Sequence, residues 1–202
     1  MVARSNRRHR RPLWTVPHGA LASFGQAQFR RSCSAKLFLI SLGINSVQLL
    51  FVCTGNTCRS ALAVAITDKL IDERSIGSVE AVSAGTSAWD GAAASDGAML
   101  VGLERKLDLS GHRARQLTPD IIADATLILA MGPHHLERIN ALGGGDKAHL
   151  LSDFAEHSSE GRAIEDPFGG GLDLYRTTAD ELEKKIARVL DRIAADPAPE
   201  PA

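Results

Sequence analysis

One stretch of eight residues carries side chains suited to phosphoryl chemistry. It runs from Cys53 to Ser60 and reads Cys-Thr-Gly-Asn-Thr-Cys-Arg-Ser. Cys53 opens the stretch, and a cysteine thiolate is a strong nucleophile. Arg59 follows six positions later, and its planar guanidinium can bind two oxygens of a phosphoryl group at once, which a lysine ammonium cannot do. The spacing therefore indicates a nucleophile held beside a cation that binds phosphate.

The flanking residues predict a strand before this loop and a helix after it. Residues 47–52 form a short apolar run, and apolar residues recur at helical spacing over 61–72. A loop so placed gathers backbone N–H groups around a concavity, and the positive end of the helix dipole faces it. A phosphate-sized anion suits that concavity, and the same positive groups favour the thiolate form of Cys53. Gly55 and Asn56 tolerate the positive φ that such a turn demands.

The whole string resembles the low-molecular-weight protein tyrosine phosphatase family. The resemblance spans residues 47–195 and includes Ser-Ala-Gly-Thr at 83–86, Gly-His-Arg-Ala-Arg-Gln-Leu-Thr at 111–118 and Asp-Pro-Phe-Gly-Gly at 166–170. It implies a phosphatase in which Cys53 is the nucleophile, Arg59 binds the phosphate and Asp166 is the general acid. The family usually has Pro and Glu where this chain has Ala61 and Val64. That difference affects the rigidity of the loop rather than its chemistry.

The resemblance also implies roles for the other residues of the site. Phosphate-binding roles fall on Thr54, Gly55, Asn56, Thr57, Cys58 and Ser60. A supporting hydrogen-bond network would comprise Asn56, Ser60, Ser83 and His112, with Ser60 also holding the thiolate. The histidines at 134, 135, 149 and 157 match no family position, so we expect them to be solvated.

Two aromatic residues are candidate walls of the substrate site. Trp89 and Phe168 can each stack on a guanidinium or on a phenol ring. For Trp89, anchoring of its own loop is an equally good interpretation.

Thr57 is the position that bears on the substrate. Family members that resemble protein-arginine phosphatases have threonine there, whereas tyrosine-directed members tend to have a larger aliphatic residue. A hydroxyl can contact a guanidinium where isoleucine would pack against a phenol. The hypothesis is therefore hydrolysis of phosphoarginine, in which Asp166 pairs with the guanidinium and protonates the leaving nitrogen. The alternative is a protein tyrosine phosphatase of the same family.

Other function classes fit the residues less well. Arsenate reductases of this fold need further cysteines downstream, and none follows Cys58. A non-catalytic binder of phosphorylated residues would lack the nucleophile or the acid. Metal-ligand spacing is not recognisable, and no cofactor is expected because Arg59 and the loop amides supply the positive field. Cys58 is interpreted either as a packed small residue or as the partner of Cys53 in a protective, reversible disulfide.

Charge divides the chain unevenly. Residues 1–46 hold eight of the 23 Lys and Arg residues and no Asp or Glu, so the remainder carries a balance of −9. We interpret 1–46 as a basic, disordered N-terminal extension, 47–195 as the phosphatase domain and 196–202 as a Pro-rich tail. A thiolate enzyme with three cysteines suits the reducing cytoplasm. Phosphorylated proteins are the expected partners, without nucleic acid or membrane, and the oligomeric state is left open.

The pattern of elements predicts an α/β fold in three layers. Strands are predicted over 47–52, 79–85, 126–131 and 148–151, with helices over 61–72 and 98–107. A last helix is predicted to begin at a capping box formed by Thr178 and Glu181. Such alternation is typical of a four-stranded parallel sheet with helices on both faces, of the flavodoxin-like type that the family resemblance also implies. Ligands in such folds bind at the carboxyl ends of the strands.

Overall fold

The computed structural model describes residues 46–195, which contain a sheet of four parallel strands. The strands are β1 (Val47–Cys53), β2 (Val79–Gly85), β3 (Leu127–Ala130) and β4 (Ala148–Leu150), in the order β2-β1-β3-β4. The predicted α/β class with a four-stranded parallel sheet is confirmed. Because the chain builds first to one side of β1 and then to the other, the loop after Cys53 lies at the point where the strand order reverses.

Six α-helices connect or follow the strands within the described residues. They are α1 (Arg59–Arg74), α2 (Asp96–Glu104), α3 (Pro119–Asp124), α4 (Pro133–Ala141), α5 (Leu151–Glu156) and α6 (Leu172–Ala195). The predicted helices at 61–72 and 98–107 correspond to α1 and α2. In α2, Ser95 is the N-cap, and its hydroxyl accepts a hydrogen bond from Ala98 N at 3.3 Å.

Alternate side chains of β1 pack into two separate cores, one on each face of the sheet. Leu49 and Phe51 lie in the core shared with α1 and α6, whereas Leu50 and Val52 lie in the core that contains Ile122 of α3. Since successive strand residues face opposite sides, a central strand with both faces covered is apolar throughout. The predicted three-layer arrangement is confirmed.

The predicted capping box at Thr178 is wrong. The last helix, α6, already begins at Leu172, and Thr178 is buried inside it. Its hydroxyl donates to the carbonyl of Leu174 at 2.9 Å, which is how a threonine is accommodated within a helix. The apolar face of α6 therefore extends back to Tyr175, which is also buried.

Two predicted segments lie largely or wholly outside the described residues. The N-terminal extension was placed at 1–46 and the tail at 196–202, and of these only Ser46 is described. Within 46–195, the helices are all too short or too polar to cross a membrane.

Candidate active site

The loop after β1 turns sharply at Asn56 and packs closely against the end of β2. Asn56 has φ of 55°, in the left-handed region that asparagine tolerates better than most residues. The loop also passes close to the end of β2, where a Cβ on Gly85 would lie 2.4 Å from the carbonyl oxygen of Thr54. A side chain at 85 would therefore displace the loop. Because of this close approach at Gly85, the segment 83–86 lies directly against the loop.

The Cys53 sulfur is buried and lies within reach of two polar groups of its own loop. Asn56 N donates to Cys53 Sγ at 3.3 Å, and Ser60 Oγ lies 3.0 Å from it. Asn56 Nδ2 donates to Ser60 Oγ at 2.8 Å, so the hydroxyl hydrogen of Ser60 is left to donate to the sulfur. Both contacts stabilise negative charge on Cys53, as a nucleophilic thiolate requires.

A network from other parts of the fold holds Asn56 in place. Arg115 N donates to Asn56 Oδ1 at 3.0 Å, and His112 Nε2 donates to the Asn56 carbonyl at 2.6 Å. A carbonyl only accepts, so His112 carries a proton on Nε2. Burial lowers the pKa of His112, with smaller contributions from Arg113 and Arg115. Through this hydrogen bond to Asn56, His112 contacts the loop.

Ser83 joins this network through its backbone. Its carbonyl accepts a hydrogen bond from Arg115 Nε at 2.7 Å, and its side chain is buried. Arg115 thus links β2 to Asn56, a connection that the sequence motifs did not indicate.

Arg59 joins the loop to the segment that carries Asp166. The residue is 4% exposed. Nη1 donates to the Ile164 carbonyl at 3.2 Å, and Nη2 pairs with Asp166 Oδ2 at 2.5 Å. Ile164 N in turn donates to the carbonyl of Met131, just beyond β3, at 2.8 Å. Arg59 Nε is buried and has no hydrogen-bond partner among residues 46–195. A buried guanidinium N–H without a partner points to a ligand that accepts it.

Asp166 and the loop residues line one cavity of about 220 Å³. Its lining consists of Cys53, Thr54, Gly55, Thr57, Cys58, Arg59, Asp166 and Phe168. The first turn of α1 contains no acidic residue, and the N-cap residue, Cys58, makes no capping hydrogen bond through its side chain within the described chain. The positive end of α1 is therefore not neutralised locally, which favours an anion in this cavity.

The two aromatic candidates differ in their placement. Phe168 lines the cavity and is 77% exposed, so its ring is accessible to a substrate. Trp89 is 84% exposed and is not part of the cavity lining. Its role as a wall stays a prediction.

Cys58 lies among hydroxyl groups from two helices. Its thiol donates to Ser95 Oγ at 3.1 Å and lies 3.4 Å from the hydroxyl of Tyr175. Burial is the main cause that raises the pKa of Tyr175. Cys53 and Cys58 are both free thiols in the structure, and a disulfide between them stays a prediction.

The expectation that His135 is solvated is wrong. His135, in the first turn of α4, is fully buried, and its Nε2 lies 2.9 Å from Thr54 Oγ1. Burial, with smaller contributions from His134 and Arg59, lowers its pKa to about 3. The signal for this contact was topological: α4 follows β3, so its start lies at the same sheet edge as the Cys53 loop. His134 and His157 are exposed, as expected, and His149 is partly buried.

No cluster suited to a metal ion occurs in the described part of the chain. Within residues 46–195, no three side chains of His, Cys, Asp or Glu lie close enough together to hold one.

Comparison with known proteins agrees with this geometry. A family model described as low molecular weight phosphotyrosine protein phosphatase matches residues 48–198. A protein-arginine-phosphatase of Geobacillus stearothermophilus is 38% identical over 151 residues, covering 74% of this chain and 97% of that protein. One of Bacillus subtilis is 36% identical over 152 residues, with coverage of 74% and 99%.

Solved structures show the same likeness. A structure of the arginine phosphatase YwlE, a cysteine-to-serine variant with a phosphorylated active-site serine, aligns with a TM-score of 0.70 and 31% identity. The alignment covers 75% of this chain and 98% of that one.

Proposed function

This chain belongs to the low molecular weight phosphotyrosine protein phosphatase family, and we propose that it hydrolyses phosphoarginine in proteins through a phosphocysteine intermediate on Cys53. The catalytic unit is assigned to residues 47–195. The two protein-arginine-phosphatases named above align over 151 and 152 residues of this chain, a length close to that of this segment.

One observation carries the proposal: a nucleophile, a cation and an acid line the same small cavity. Cys53, Arg59 and Asp166 all contribute to its surface. The buried Nε of Arg59 has no partner among the described residues, and a phosphoryl oxygen would satisfy it. The uncapped start of α1 and the Arg59 charge together favour a doubly charged phosphoryl group.

The first step transfers the phosphoryl group to the enzyme. Cys53 Sγ attacks phosphorus, so an S–P bond forms while the bond from phosphorus to the guanidinium nitrogen breaks. Asp166 gives its proton to that nitrogen, so the arginine side chain leaves as an intact, neutral guanidine group rather than as an anion. Arg59 binds the equatorial oxygens throughout, where negative charge is spread in the transition state.

The second step returns the enzyme to its starting state. Water attacks phosphorus, Asp166 takes the proton that water releases, and the S–P bond breaks. Cys53 leaves as thiolate, which the donors Asn56 N and Ser60 Oγ stabilise. The products are an unmodified arginine residue and inorganic phosphate.

The choice of phosphoarginine rests on Thr57 and on the relatives. Thr57 lines the cavity beside the nucleophile, where its hydroxyl can contact a guanidinium. Asp166 lines the same cavity, and its Oδ2 already contacts one guanidinium, that of Arg59, at 2.5 Å. The carboxyl group of Asp166 can also accept a hydrogen bond from a second guanidinium, belonging to the substrate.

Phosphotyrosine is the second candidate substrate. The observation that supports it is the exposed ring of Phe168 at the cavity, on which a phenol ring can stack. The same ring can also stack on a guanidinium.

The deciding experiment compares phosphate release from phosphoarginine and phosphotyrosine peptides of the same sequence. We expect faster turnover of phosphoarginine by the parent protein and none by Cys53→Ser. We also expect Thr57→Ile to shift the ratio of the two rates toward phosphotyrosine. A parent that prefers phosphotyrosine would refute the substrate assignment, and an unchanged ratio in Thr57→Ile would refute the role of Thr57.

We also assign the protein to the cytoplasm. Its nucleophile and the neighbouring Cys58 are free thiols, and a reducing compartment keeps such thiols active.

A further inference from the structure

Thr54 is held by groups on two different elements. Its carbonyl accepts a hydrogen bond from Ser87 N, just after β2, at 3.0 Å. Its side-chain oxygen lies 2.9 Å from His135 Nε2, on the first turn of α4. Thr54 itself is exposed and lines the phosphate cavity. Thr54, the residue next to the nucleophile, is therefore held through its carbonyl and its hydroxyl and also lines the cavity.

The surroundings of His135 decide which nitrogen carries its proton. Its Nδ1 is buried and has no hydrogen-bond partner in the described part of the chain. A buried N–H without an acceptor is rarer than an under-satisfied acceptor, so the proton lies on Nε2. The ring is uncharged near neutral pH, since burial and the nearby Arg59 and His134 disfavour the imidazolium and lower the pKa of His135.

This tautomer fixes the direction of the hydrogen bond to Thr54. His135 Nε2–H donates to Thr54 Oγ1, so the hydroxyl hydrogen of Thr54 is left to donate elsewhere. That hydrogen is then available to an acceptor in the cavity, and a phosphoryl group in the cavity presents only acceptor oxygens. If the tautomer were reversed, the Thr54 hydroxyl would donate to His135 and would offer the phosphate only a lone pair.

We propose that His135 is a positioning residue that makes the Thr54 hydroxyl a hydrogen-bond donor to a phosphoryl oxygen in the Cys53 loop. The proposal depends on the proposed function only in that the cavity binds a phosphoryl group. It does not depend on whether the substrate carries arginine or tyrosine. It gives the phosphate a side-chain donor in addition to Arg59.

The test measures inorganic phosphate as a competitive inhibitor of the hydrolysis of a small aryl phosphate. Thr54→Val removes the hydroxyl, and His135→Leu removes the group that orients it. We expect each variant to raise the inhibition constant about tenfold, the effect of one hydrogen bond of ~1.4 kcal/mol. In the double variant we expect no further loss, since both changes remove the same donor.

Conservative variants separate positioning from packing. Gln reaches about as far as His Nε2 and donates through its amide, whereas Asn is one bond shorter. His135→Gln should keep most of the phosphate affinity and His135→Asn should not, and this comparison also serves if His135→Leu fails to fold. As a matched control, His149→Leu changes a histidine whose ring centroid lies 5.3 Å from that of Phe154, with the two rings tilted by 41°. This variant should leave the inhibition constant unchanged.

Three results would overturn the proposal: an unchanged constant in Thr54→Val, additive losses in the double variant, or equal behaviour of His135→Gln and His135→Asn. None of them bears on the nucleophile or the natural substrate. Those are tested separately, by Cys53→Ser and by the two phosphopeptides.

Discussion

Arg59→Lys tests whether the shape of the cation matters beyond its charge. The Arg59 guanidinium holds the Ile164 carbonyl through Nη1, pairs with Asp166 through Nη2 and keeps Nε without a partner within residues 46–195. A lysine retains the positive charge, but its ammonium is compact and cannot make these contacts at once. The substitution therefore removes the fork and leaves the charge.

The size of the effect follows from the hydrogen bonds that a lysine cannot make. One charge-assisted hydrogen bond to the phosphoryl group is worth ~1.5–3 kcal/mol. The Ile164 carbonyl is also left without its donor, which loosens the segment that carries Asp166 at a further cost of ~1–3 kcal/mol. Because only part of that second cost reaches the transition state, we expect kcat/KM to fall by about 10²–10³-fold.

The assay compares initial rates of the parent and Arg59→Lys on the phosphoarginine peptide and on a small aryl phosphate. Urea unfolding of both proteins shows whether the variant still folds. The matched control is Arg162→Lys, because Arg162 pairs with Glu181 and is 55% exposed. If kcat/KM of Arg59→Lys were as close to the parent value as kcat/KM of Arg162→Lys, the role of the guanidinium fork would be refuted.

Three further predictions follow from single contacts. Asp166→Asn should slow turnover of phosphoarginine by about 10²-fold or more, and less so for an aryl phosphate whose leaving group needs no proton. Equal losses on the two substrates would contradict a general-acid role. Gly85→Ala places a Cβ 2.4 Å from the Thr54 carbonyl oxygen, so it should reduce the free energy of unfolding by ~1–3 kcal/mol and also lower activity. Its control is Gly111→Ala, because a Cβ at 111 has nothing within 4 Å. Equal urea midpoints of the two variants would refute the contact. In the folded state, the pKa of His135 is lowered from 6.5 to about 3. As the pH falls below 6.5, the unfolded chain therefore binds the proton before the folded protein does, and the free energy of unfolding should fall by up to ~1.4 kcal/mol per pH unit. Urea unfolding between pH 7 and 4.5 should show a steeper loss of stability with falling pH in the parent than in His135→Gln, and parallel curves would contradict it.

The fold class, the proposed nucleophile and the proposed phosphate-binding cation can all be predicted from local patterns. Cys53 and Arg59 lie within one continuous stretch of eight residues, so their spacing alone predicts that they share a site. The buried strands are recognisable because a parallel sheet covered on both faces needs apolar residues throughout. The main error in secondary structure, the start of α6, arose because Thr178 has the right spacing for a capping box yet satisfies its hydroxyl within the helix.

The groups that hold the loop in shape were decided by tertiary structure. Arg115, His135 and Tyr175 contact loop residues that lie 59, 81 and 117 positions away in sequence. Arg115 lies in the motif at 111–118, but that motif did not indicate its contact with Asn56, and His135 and Tyr175 lie in no motif. A histidine like His135 is as compatible with a solvated helix surface as with a buried site. His135 meets the loop because α4 follows β3, and the carboxyl ends of parallel strands lie at the same sheet edge. The sequence thus predicts the residues that we propose for the chemistry, whereas the packing of distant elements is needed to identify the residues that orient them.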